Sequence, residues 1–224
     1  MINDLETLGF SIIENVYTEV EIRDILRLVE SQNLSGQFGV REFLLRHSVL
    51  QNIVFNKNLK HIISRIAPTC NKSIKSIYFD KPPTSNWIVN WHQDLTINLA
   101  NRAEIVGYKN WRELPDRVVV QPNRELLENI FTIRIHLDDC TEKNGALRII
   151  DKSHLKGIIR INEWNREEKE TICEVPCGGV LLMKPLLIHS SRRTENDLNR
   201  RVIHMEFTDQ NLPSGLEWKE MIEI

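Results

Sequence analysis

The octapeptide IFTIRIHL at residues 130–137 alternates apolar and polar side chains, which is the period of a half-buried β-strand. Successive side chains of a strand point to opposite faces, so this pattern gives one core face and one polar face. The core face comprises Phe131, Ile133, Ile135 and Leu137, and the polar face comprises Thr132, Arg134 and His136. If this strand belongs to a barrel, its polar face lines the cavity.

Five other short runs are apolar or alternate in the same way, and they predict further strands. These runs are residues 73–79, 87–97, 146–150, 179–188 and 200–207. Turn-rich pieces separate them, and no helix of useful length lies between most of them. The pattern therefore favours an antiparallel barrel or sandwich over a parallel α/β sheet.

The front third of the chain has helical spacing instead. Residues 18–31 carry apolar side chains on one helical face, and Thr18 with Glu21 suits a capping box. A second helix is predicted over residues 48–66, ending before Pro68. Residues 98–129 are irregular, which is typical of a lid, a binding loop or a disordered segment.

Neither a repeat nor a linker divides the sequence. We therefore expect one domain over residues 1–224, with a helical front over about 1–70 and a β core over about 73–209. The chain is mainly β with flanking helices on this interpretation.

Composition narrows the class of protein. The 224 residues are 41% hydrophobic and 27% charged, which excludes disordered and collagen-like chains. With 29 Lys and Arg against 31 Asp and Glu, the charge indicates no nucleic-acid or membrane-surface partner. No run approaches the ~20 apolar residues of a membrane span and no signal pattern opens the sequence, so we expect a cytoplasmic protein. The 4 cysteines form no CxxC pair and are expected to be reduced. Cys173 and Cys177 are expected to be small buried hydrophobes rather than metal ligands, because no second Cys or His pair has zinc-finger spacing.

A candidate metal site begins in the run 87–97. On a strand, His92 and Asp94 share a face while Gln93 points away. A non-haem Fe(II) oxygenase uses two histidines and one carboxylate on one face of the metal. His189 follows a long apolar run and is the natural third ligand. The pairs His136 with Asp138 and His204 with Glu206 have similar spacing, so spacing alone leaves them open.

Arg200 is a candidate for binding an anion beside that metal site. The polar stretch 190–199 predicts a hairpin-like connection that returns the next strand alongside His189. On the returning strand Ile203, Met205 and Phe207 share one face, so Arg200, Val202 and His204 occupy the other. A guanidinium near a metal suits a dicarboxylate co-substrate, because it can bind the far carboxylate through two hydrogen bonds.

Several motifs in one order now carry a resemblance. They are KPP at 81–83, WHQDL at 91–95, RIHLDDC at 134–140, NGALR at 144–148, SH at 153–154, PLLIH at 185–189 and Arg200. Together they resemble the phytanoyl-CoA dioxygenase family of Fe(II)/2-oxoglutarate dioxygenases. The family implies a double-stranded β-helix, a cupin-like jelly-roll barrel with helices packed on one sheet.

The resemblance also implies a role for each site residue. His92, Asp94 and His189 would hold iron, Arg200 would bind the C5 carboxylate of 2-oxoglutarate, and Ser191 would assist it. It assigns no metal role to His136 and Asp138. The sequence departs from the family at Asp151-Lys152, where a Pro-Gly pair often precedes the Ser-His turn.

Two further expectations concern the cavity. Arg134 is predicted to contact 2-oxoglutarate or an anionic substrate, with a structural ion pair as the alternative. Residues 98–129, with Tyr108 and Trp111, are predicted to cover the substrate or to form a surface loop.

The predicted function is Fe(II)- and 2-oxoglutarate-dependent oxidation of a small molecule by O₂, with release of succinate and CO₂. Asp94 favours hydroxylation, because related halogenases have a small residue there. The alternatives are a jelly-roll hydrolase or isomerase with the same ligands, and a non-catalytic small-molecule binding module. The sequence selects neither a primary substrate nor an oligomeric state.

Overall fold

Two antiparallel sheets face each other, and helices cover the outer side of the larger one. The computed structural model describes residues 4–34, 37–81, 87–160, 164 and 168–224. Pro82 and Pro83 of the KPP motif, and most of the predicted turn 81–85, lie outside the described residues. The helices are α1 (Asp4–Leu8), α2 (Glu19–Ser31), α3 (Phe43–Arg46), α4 (Gln51–Val54), α5 (Lys57–Ile66) and α6 (Arg124–Glu128), with 3₁₀ turns at Ser48–Leu50, Glu142–Asn144 and Ser153–Lys156.

Strands make up most of the remaining regular structure. They are β1 (Phe10–Ile13), β2 (Gly39–Arg41), β3 (Lys72–Lys81), β4 (Val89–His92), β5 (Ile97–Leu99), β6 (Lys109–Glu113), β7 (Val118–Gln121), β8 (Phe131–His136), β9 (Leu147–Ile150), β10 (Glu170–Cys173), β11 (Val180–Met183), β12 (His189–Ser191), β13 (Arg200–Phe207) and β14 (Ile222–Glu223). The large sheet has the order β1-β11-β8-β13-β3-β14, with β2 also on β3, and the small sheet has the order β10-β9-β12-β4. The predicted mainly β, antiparallel class is confirmed.

The two faces of β8 divide as the alternation predicts. Phe131, Ile133 and Ile135 belong to the main hydrophobic core together with apolar residues of α2 and α5. Their burial against the helices turns Arg134 toward the space between the sheets, where it lines a cavity. The alternation of apolar and polar residues therefore predicts which side chains of β8 face the core and which face the cavity.

Helix α2 forms as predicted. The Thr18 hydroxyl accepts a hydrogen bond from the Glu21 amide at 3.2 Å, and the Thr18 amide donates to the Glu21 carboxylate at 2.8 Å. These bonds satisfy two helix-end donors, so the capping box is confirmed.

The single helix predicted over residues 48–66 is wrong. A 3₁₀ turn and α4 end at Val54, and α5 begins at Lys57. The reason is Asn56, whose side-chain oxygen accepts a hydrogen bond from the Leu59 amide at 2.8 Å. Asparagine caps a helix better than it continues one, so a new helix begins there.

Two predicted strands are shorter than expected, and both end at the site. The run 87–97 divides into β4 and β5, because Gln93 and Asp94 leave the ladder to bond other segments. The run 179–188 leaves the large sheet after Met183 at a turn containing Pro185, which has no amide proton for a ladder. The chain changes direction at this turn, so the residues after it form β12 in the small sheet.

The irregular stretch predicted over residues 98–129 is also wrong. It contains β6, β7 and α6, and β5-β7-β6 form a third sheet. Tyr108, Val118 and Leu126 pack with Ile74 and Ile97 in a second hydrophobic cluster. The strands are short and each pairs within this segment, so single-sequence periodicity does not identify them.

The structure also tests the predicted state of the cysteines and the predicted lack of a membrane-spanning helix. All four thiols are free. Cys140 and Cys173 are buried and Cys70 is half-buried, whereas Cys177 is exposed, so the expectation of a buried Cys177 is wrong. Within the described ranges, no helix is long and apolar enough to cross a membrane.

Candidate active site

His92, Asp94 and His189 come together where the small sheet meets the turn at Pro185. His92 ends β4, His189 begins β12, and the two are directly paired across these antiparallel strands. The Nε2 atom of His92 lies 3.6 Å from one Asp94 oxygen, and Nε2 of His189 lies 3.7 Å from the other. One ligand atom from each residue falls within 4.8 Å of the others. Within the part of the chain that the structure describes, this is the one such cluster.

Backbone carbonyls orient both imidazoles. Nδ1 of His92 lies 2.8 Å from the Asn90 carbonyl, and Nδ1 of His189 lies 2.9 Å from the Leu187 carbonyl. A carbonyl only accepts, so each Nδ1 carries the proton and each Nε2 keeps its lone pair. The tautomers therefore aim both lone pairs at the space beside Asp94.

The charges of the cluster suit a cation. Burial lowers the pKa of His189 to about 4, so its imidazole is neutral near pH 7. Burial disfavours a charged Asp94, but the proximity of His189 and then of His92 holds the pKa of its carboxyl well below the usual range. One carboxylate and one neutral imidazole are thus ready to bind metal without losing a proton at that pH.

Gln93 holds the metal ligands in place from behind. Its amide nitrogen donates to the carbonyls of Leu186 at 2.6 Å and Gly157 at 2.8 Å. Its amide oxygen accepts from the Ile159 amide at 2.8 Å. The sequence predicts only that Gln93 points away from the ligands. Its bonding role has no signal in the sequence, because all three partners are backbone groups.

A cavity of about 240 Å³ opens beside the cluster between the two sheets. Its wall combines charged and aromatic side chains from both sheets. The lining residues are Arg41, Lys75, Ile77, Phe79, Trp87, Val89, His92, Asp94, Thr96, Arg134, Leu147, His189, Ser191, Arg200, His204 and Glu206. The predicted site residues Arg134, Ser191 and Arg200 therefore share one cavity with the predicted metal ligands.

Strand register explains which side chains of the large sheet lie next to each other. Across β3, β13 and β8, directly opposed residues face the same side. The opposed sets are Lys75 with Glu206 and Thr132, Ile77 with His204 and Arg134, and Phe79 with Val202 and His136; Lys81 opposes Arg200. Each set forms one row across the cavity wall.

Arg200 is buried at one end of this wall, with 5% of its surface exposed. Its Nε has no hydrogen-bond partner among the described residues, and neither has the Ser191 hydroxyl, which is 2% exposed. Burial lowers the pKa of Arg200, but an arginine stays charged at pH 7. Buried donors without partners are costly, so this end is complementary to an anion.

Lys81 and Gly145 shape the same end. The Lys81 ammonium donates to the carbonyls of Trp87 at 2.8 Å and Arg192 at 2.9 Å. A Cβ on Gly145 would lie 3.0 Å from the Arg192 carbonyl and 3.3 Å from the Lys81 nitrogen, and Gly145 has a φ of +85°. A glycine is required at this turn for both reasons.

A chain of ion pairs and hydrogen bonds crosses the opposite end of the wall. Lys75 pairs with Glu206 at 2.6 Å, and Nε2 of His204 lies 3.3 Å from the same carboxylate oxygen. Nη1 of Arg134 lies 3.0 Å from Nδ1 of His204. Sequence reasoning missed Lys75 as a site residue and considered Glu206 only as half of a competing metal pair.

The competing pairs do not join the metal cluster, although His204 and Glu206 line the same cavity. His204 and Glu206 bond Arg134 and Lys75, while Asp138 makes two hydrogen bonds to the Arg201 side chain at 2.9 and 2.6 Å. His136 is 2% exposed, and neither ring nitrogen has a partner among the described residues.

The predicted substrate cover is not at this cavity. Tyr108 and Trp111 stack on each other with ring centroids 6.3 Å apart, and both pack in the second hydrophobic cluster. Neither lines the cavity that contains the metal cluster. In the structure, aromatic residues at the cavity are instead Phe79 and Trp87.

Two histidines and one aspartate that could hold a metal thus lie between the two sheets of an antiparallel β fold. Comparison of the sequence with protein-family models identifies the class of protein that has this arrangement. The model of the phytanoyl-CoA dioxygenase (PhyH) family matches residues 6–202. The chain belongs to this family. No curated protein matches it in sequence.

Solved structures share the fold at low sequence identity. The non-heme alpha ketoglutarate dependent carbocyclase SnoK from nogalamycin biosynthesis matches with a TM-score of 0.70 and 16% identity, over 93% of this chain and 82% of SnoK. The epimerase SnoN, in complex with Fe³⁺, alpha ketoglutarate and nogalamycin RO, matches with a TM-score of 0.71 and 10% identity, over 96% and 89%. HygX from Streptomyces hygroscopicus with iron bound has a TM-score of 0.66 and 14% identity, over 91% and 83%. The predicted jelly-roll fold is confirmed.

Proposed function

We propose that the protein is a non-haem Fe(II)- and 2-oxoglutarate-dependent dioxygenase that hydroxylates a small molecule and releases succinate and CO₂. The observation that carries this proposal is one cavity with two complementary ends. His92, Asp94 and His189 lie at one end, and the buried guanidinium of Arg200 lies at the other. Membership of the PhyH family agrees with it.

The donor set fits ferrous iron. Two imidazoles and one carboxylate on one side leave the opposite positions open, as in the facial arrangement of non-haem iron oxygenases. When bound, Fe(II) and 2-oxoglutarate would supply the electrons that activate O₂, which is the oxidant. His92, Asp94 and His189 would hold the ion, and Gln93 would keep the first two at a fixed distance from the third.

The second end fits the far carboxylate of 2-oxoglutarate. Arg200 supplies a planar donor group and a full charge, and Ser191 supplies a free hydroxyl. Both donors are more than nine-tenths buried, so a carboxylate there would be shielded from water. The residues of this end therefore bind and orient, and the cavity wall excludes water from the reacting centre.

The oxidative outcome is the finer part of the proposal. The related fold occurs in a carbocyclase and an epimerase as well as in the non-heme monooxygenase ThoJ. Hydroxylation is supported by Asp94, because a carboxylate at that position fills a place that a halogenase leaves for chloride. We include a cytoplasmic location in the proposal. On the balance of 29 basic and 31 acidic residues, we also include no nucleic-acid or membrane partner.

Anaerobic titration with Fe(II) and then 2-oxoglutarate tests the proposal. We expect a weak charge-transfer band in the green part of the visible spectrum. It should be lost in His189→Ala and in Arg200→Ala but kept in Arg201→Ala, because Arg201 lies on the other face of β13 with Asp138. Activity without O₂ would support a hydrolase or isomerase instead. Ligand binding by metal-free protein with no band at all would support the binding module.

A further inference from the structure

Arg134 is a buried cation without an acidic partner. It is 8% exposed, and no carboxylate of the described residues pairs with it. Its Nε is buried and has no hydrogen-bond partner there. A buried charge in this situation is strongly unfavourable unless a ligand neutralises it.

The surroundings of Arg134 leave one edge of its guanidinium free. Its Nη1 donates to Nδ1 of His204 at 3.0 Å, and its Cζ lies 5.7 Å from the centre of the Phe79 ring. Arginine only donates, so Nδ1 of His204 is unprotonated and Nε2 carries the proton toward Glu206. Because His204 occupies Nη1, the side formed by Nε and Nη2 remains available. Two parallel donors on one edge match a carboxylate.

The charge of the cavity points the same way. Lys75 and Glu206 neutralise each other at 2.6 Å. If Fe(II) and 2-oxoglutarate bind as proposed above, their charges and those of Asp94 and Arg200 sum to zero. Two buried cations, Lys81 and Arg134, then have no carboxylate partner among the described residues, but the Lys81 ammonium already donates to two backbone carbonyls. Arg134 is therefore the buried cation with donors to spare, while Arg41 at the same cavity is exposed to water.

The co-substrate has no group left for Arg134. One end of 2-oxoglutarate goes to the metal and the other to Arg200 in the proposed site. Arg134 opposes His204, and Arg200 opposes Lys81, so the two arginines enter from different rows of the sheet. Those rows are four residues apart along β13, or about 13 Å at the rise of a strand.

We propose that the primary substrate is a small carboxylic acid, and that the free edge of Arg134 binds its carboxylate. The inference rests on the proposed function and specifies its substrate class. The apolar part of the acid would lie against Ile77 and Phe79, which flank Arg134 on the cavity wall. His204 is a positioning residue, because it fixes Arg134 through Nη1 and has no hydrogen-bonding nitrogen left for substrate.

Binding to the anaerobic Fe(II)- and 2-oxoglutarate-loaded protein tests this inference. The probes are straight-chain monocarboxylates of four to eight carbons and their matched primary amides. Calorimetry measures the affinity of the protein for each probe. We expect at least one acid to bind ten-fold or more tightly than its amide. Arg134→Gln should abolish that preference and Arg134→Lys should restore part of it. The affinity for 2-oxoglutarate, measured by the charge-transfer band, should change less than three-fold in Arg134→Gln.

A matched control separates binding from folding. Arg201→Gln removes a guanidinium from β13, the strand next to β8, on the face where Arg201 pairs with Asp138, and should keep the acid preference. Circular dichroism and the thermal midpoint establish that each variant folds.

Three results would overturn the inference. They are no acid binding better than its amide, an acid preference that survives Arg134→Gln, or a ten-fold loss of 2-oxoglutarate affinity in that variant. The last result would assign Arg134 to the co-substrate. Absence of the charge-transfer band in the wild type would instead defeat the proposed function. In that case, the acids and amides are titrated into metal-free Arg200→Gln protein, in which Arg134 is the remaining buried arginine of the cavity. Tighter binding of an acid than of its amide there would still show that Arg134 binds a carboxylate, and equal binding would show that it does not.

Discussion

The side-chain amide of Gln93 donates a hydrogen bond of 2.6 Å to the carbonyl of Leu186 and so joins the two halves of the metal cluster. Gln93 lies between His92 and Asp94, and Leu186 precedes His189 by three residues. The distance between the ligands therefore depends on a residue that touches none of the ligand atoms.

Gln93→Ala should weaken metal binding by ten- to a hundred-fold, which is the usual effect of losing a group that orients metal ligands. The change also leaves three backbone groups without partners, at a cost of about 1–3 kcal/mol for each buried one. Titration with Fe(II) under argon and urea denaturation measure the two effects. Gln51→Ala is the control, because Gln51 also donates to a backbone carbonyl, at 2.9 Å to Leu44, but far from the cluster. Unchanged metal affinity in Gln93→Ala would refute the positioning role.

Gly145→Ala should weaken 2-oxoglutarate binding as well as stability. The left-handed φ of +85° costs a non-glycine residue about 1–2 kcal/mol, and the added Cβ would press on the Arg192 carbonyl beside Lys81 and Arg200. Gly107→Ala is a matched control, since Gly107 has the same φ of +85° and a Cβ there would meet only Asn123 at 3.5 Å. Both variants should lose stability in urea denaturation, but only Gly145→Ala should shift the charge-transfer titration. Equal co-substrate affinity in the two would show that Gly145 serves the turn alone.

The parts of the site that the sequence predicts are those encoded by local pattern. His92 and Asp94 are two residues apart, and the alternation along β13 turns Arg200 inward because Ile203, Met205 and Phe207 face the helices. Such patterns need no knowledge of which strands pair. The ordered motifs then assign the third ligand.

The parts that the sequence does not predict depend on distant pairing. Lys75 and Glu206 are 131 residues apart in the chain, and they become neighbours only through the register of β3 and β13. The third sheet is missed for a different reason, because β5 and β7 are only three and four residues long and are stabilised by packing on Ile74. The helix breaks at Asn56 because its side chain caps a new helix instead of continuing the first one. Both structures suit the local sequence, and packing decides between them.

Glu206→Gln should destabilise the protein by up to about 3–5 kcal/mol, because it leaves the mostly buried Lys75 ammonium without its charged partner. The double variant Lys75→Met/Glu206→Leu should recover much of that loss, since it removes both charges. Urea denaturation of the single and double variants measures the difference. The exposed pair Arg102 and Glu113 is the control, and Glu113→Gln should cost no more than about 1 kcal/mol. A double variant less stable than Glu206→Gln would contradict this account.

His136 should make the stability of the protein depend on pH. Burial, and then the charges of Arg134 and Arg200, hold the pKa of its imidazole well below 6.5, so the folded protein keeps it neutral. The unfolded chain binds a proton there below about pH 6.5, and the folded chain does not. Stability is therefore complete above pH 6.5 and falls as the pH is lowered through that value, by up to about 1.4 kcal/mol per pH unit for one proton.

His136→Gln should flatten this slope between pH 7 and pH 5, as measured by urea denaturation of the metal-free protein. Comparison with His61→Gln isolates the effect, because His61 lies on the exposed face of α5. If both variants keep the wild-type slope, His136 does not stay neutral in the folded state. That result would mean that His136 is protonated in the folded protein, beside the charges of Arg134 and Arg200. No carboxylate among the described residues bonds its ring to offset that buried positive charge.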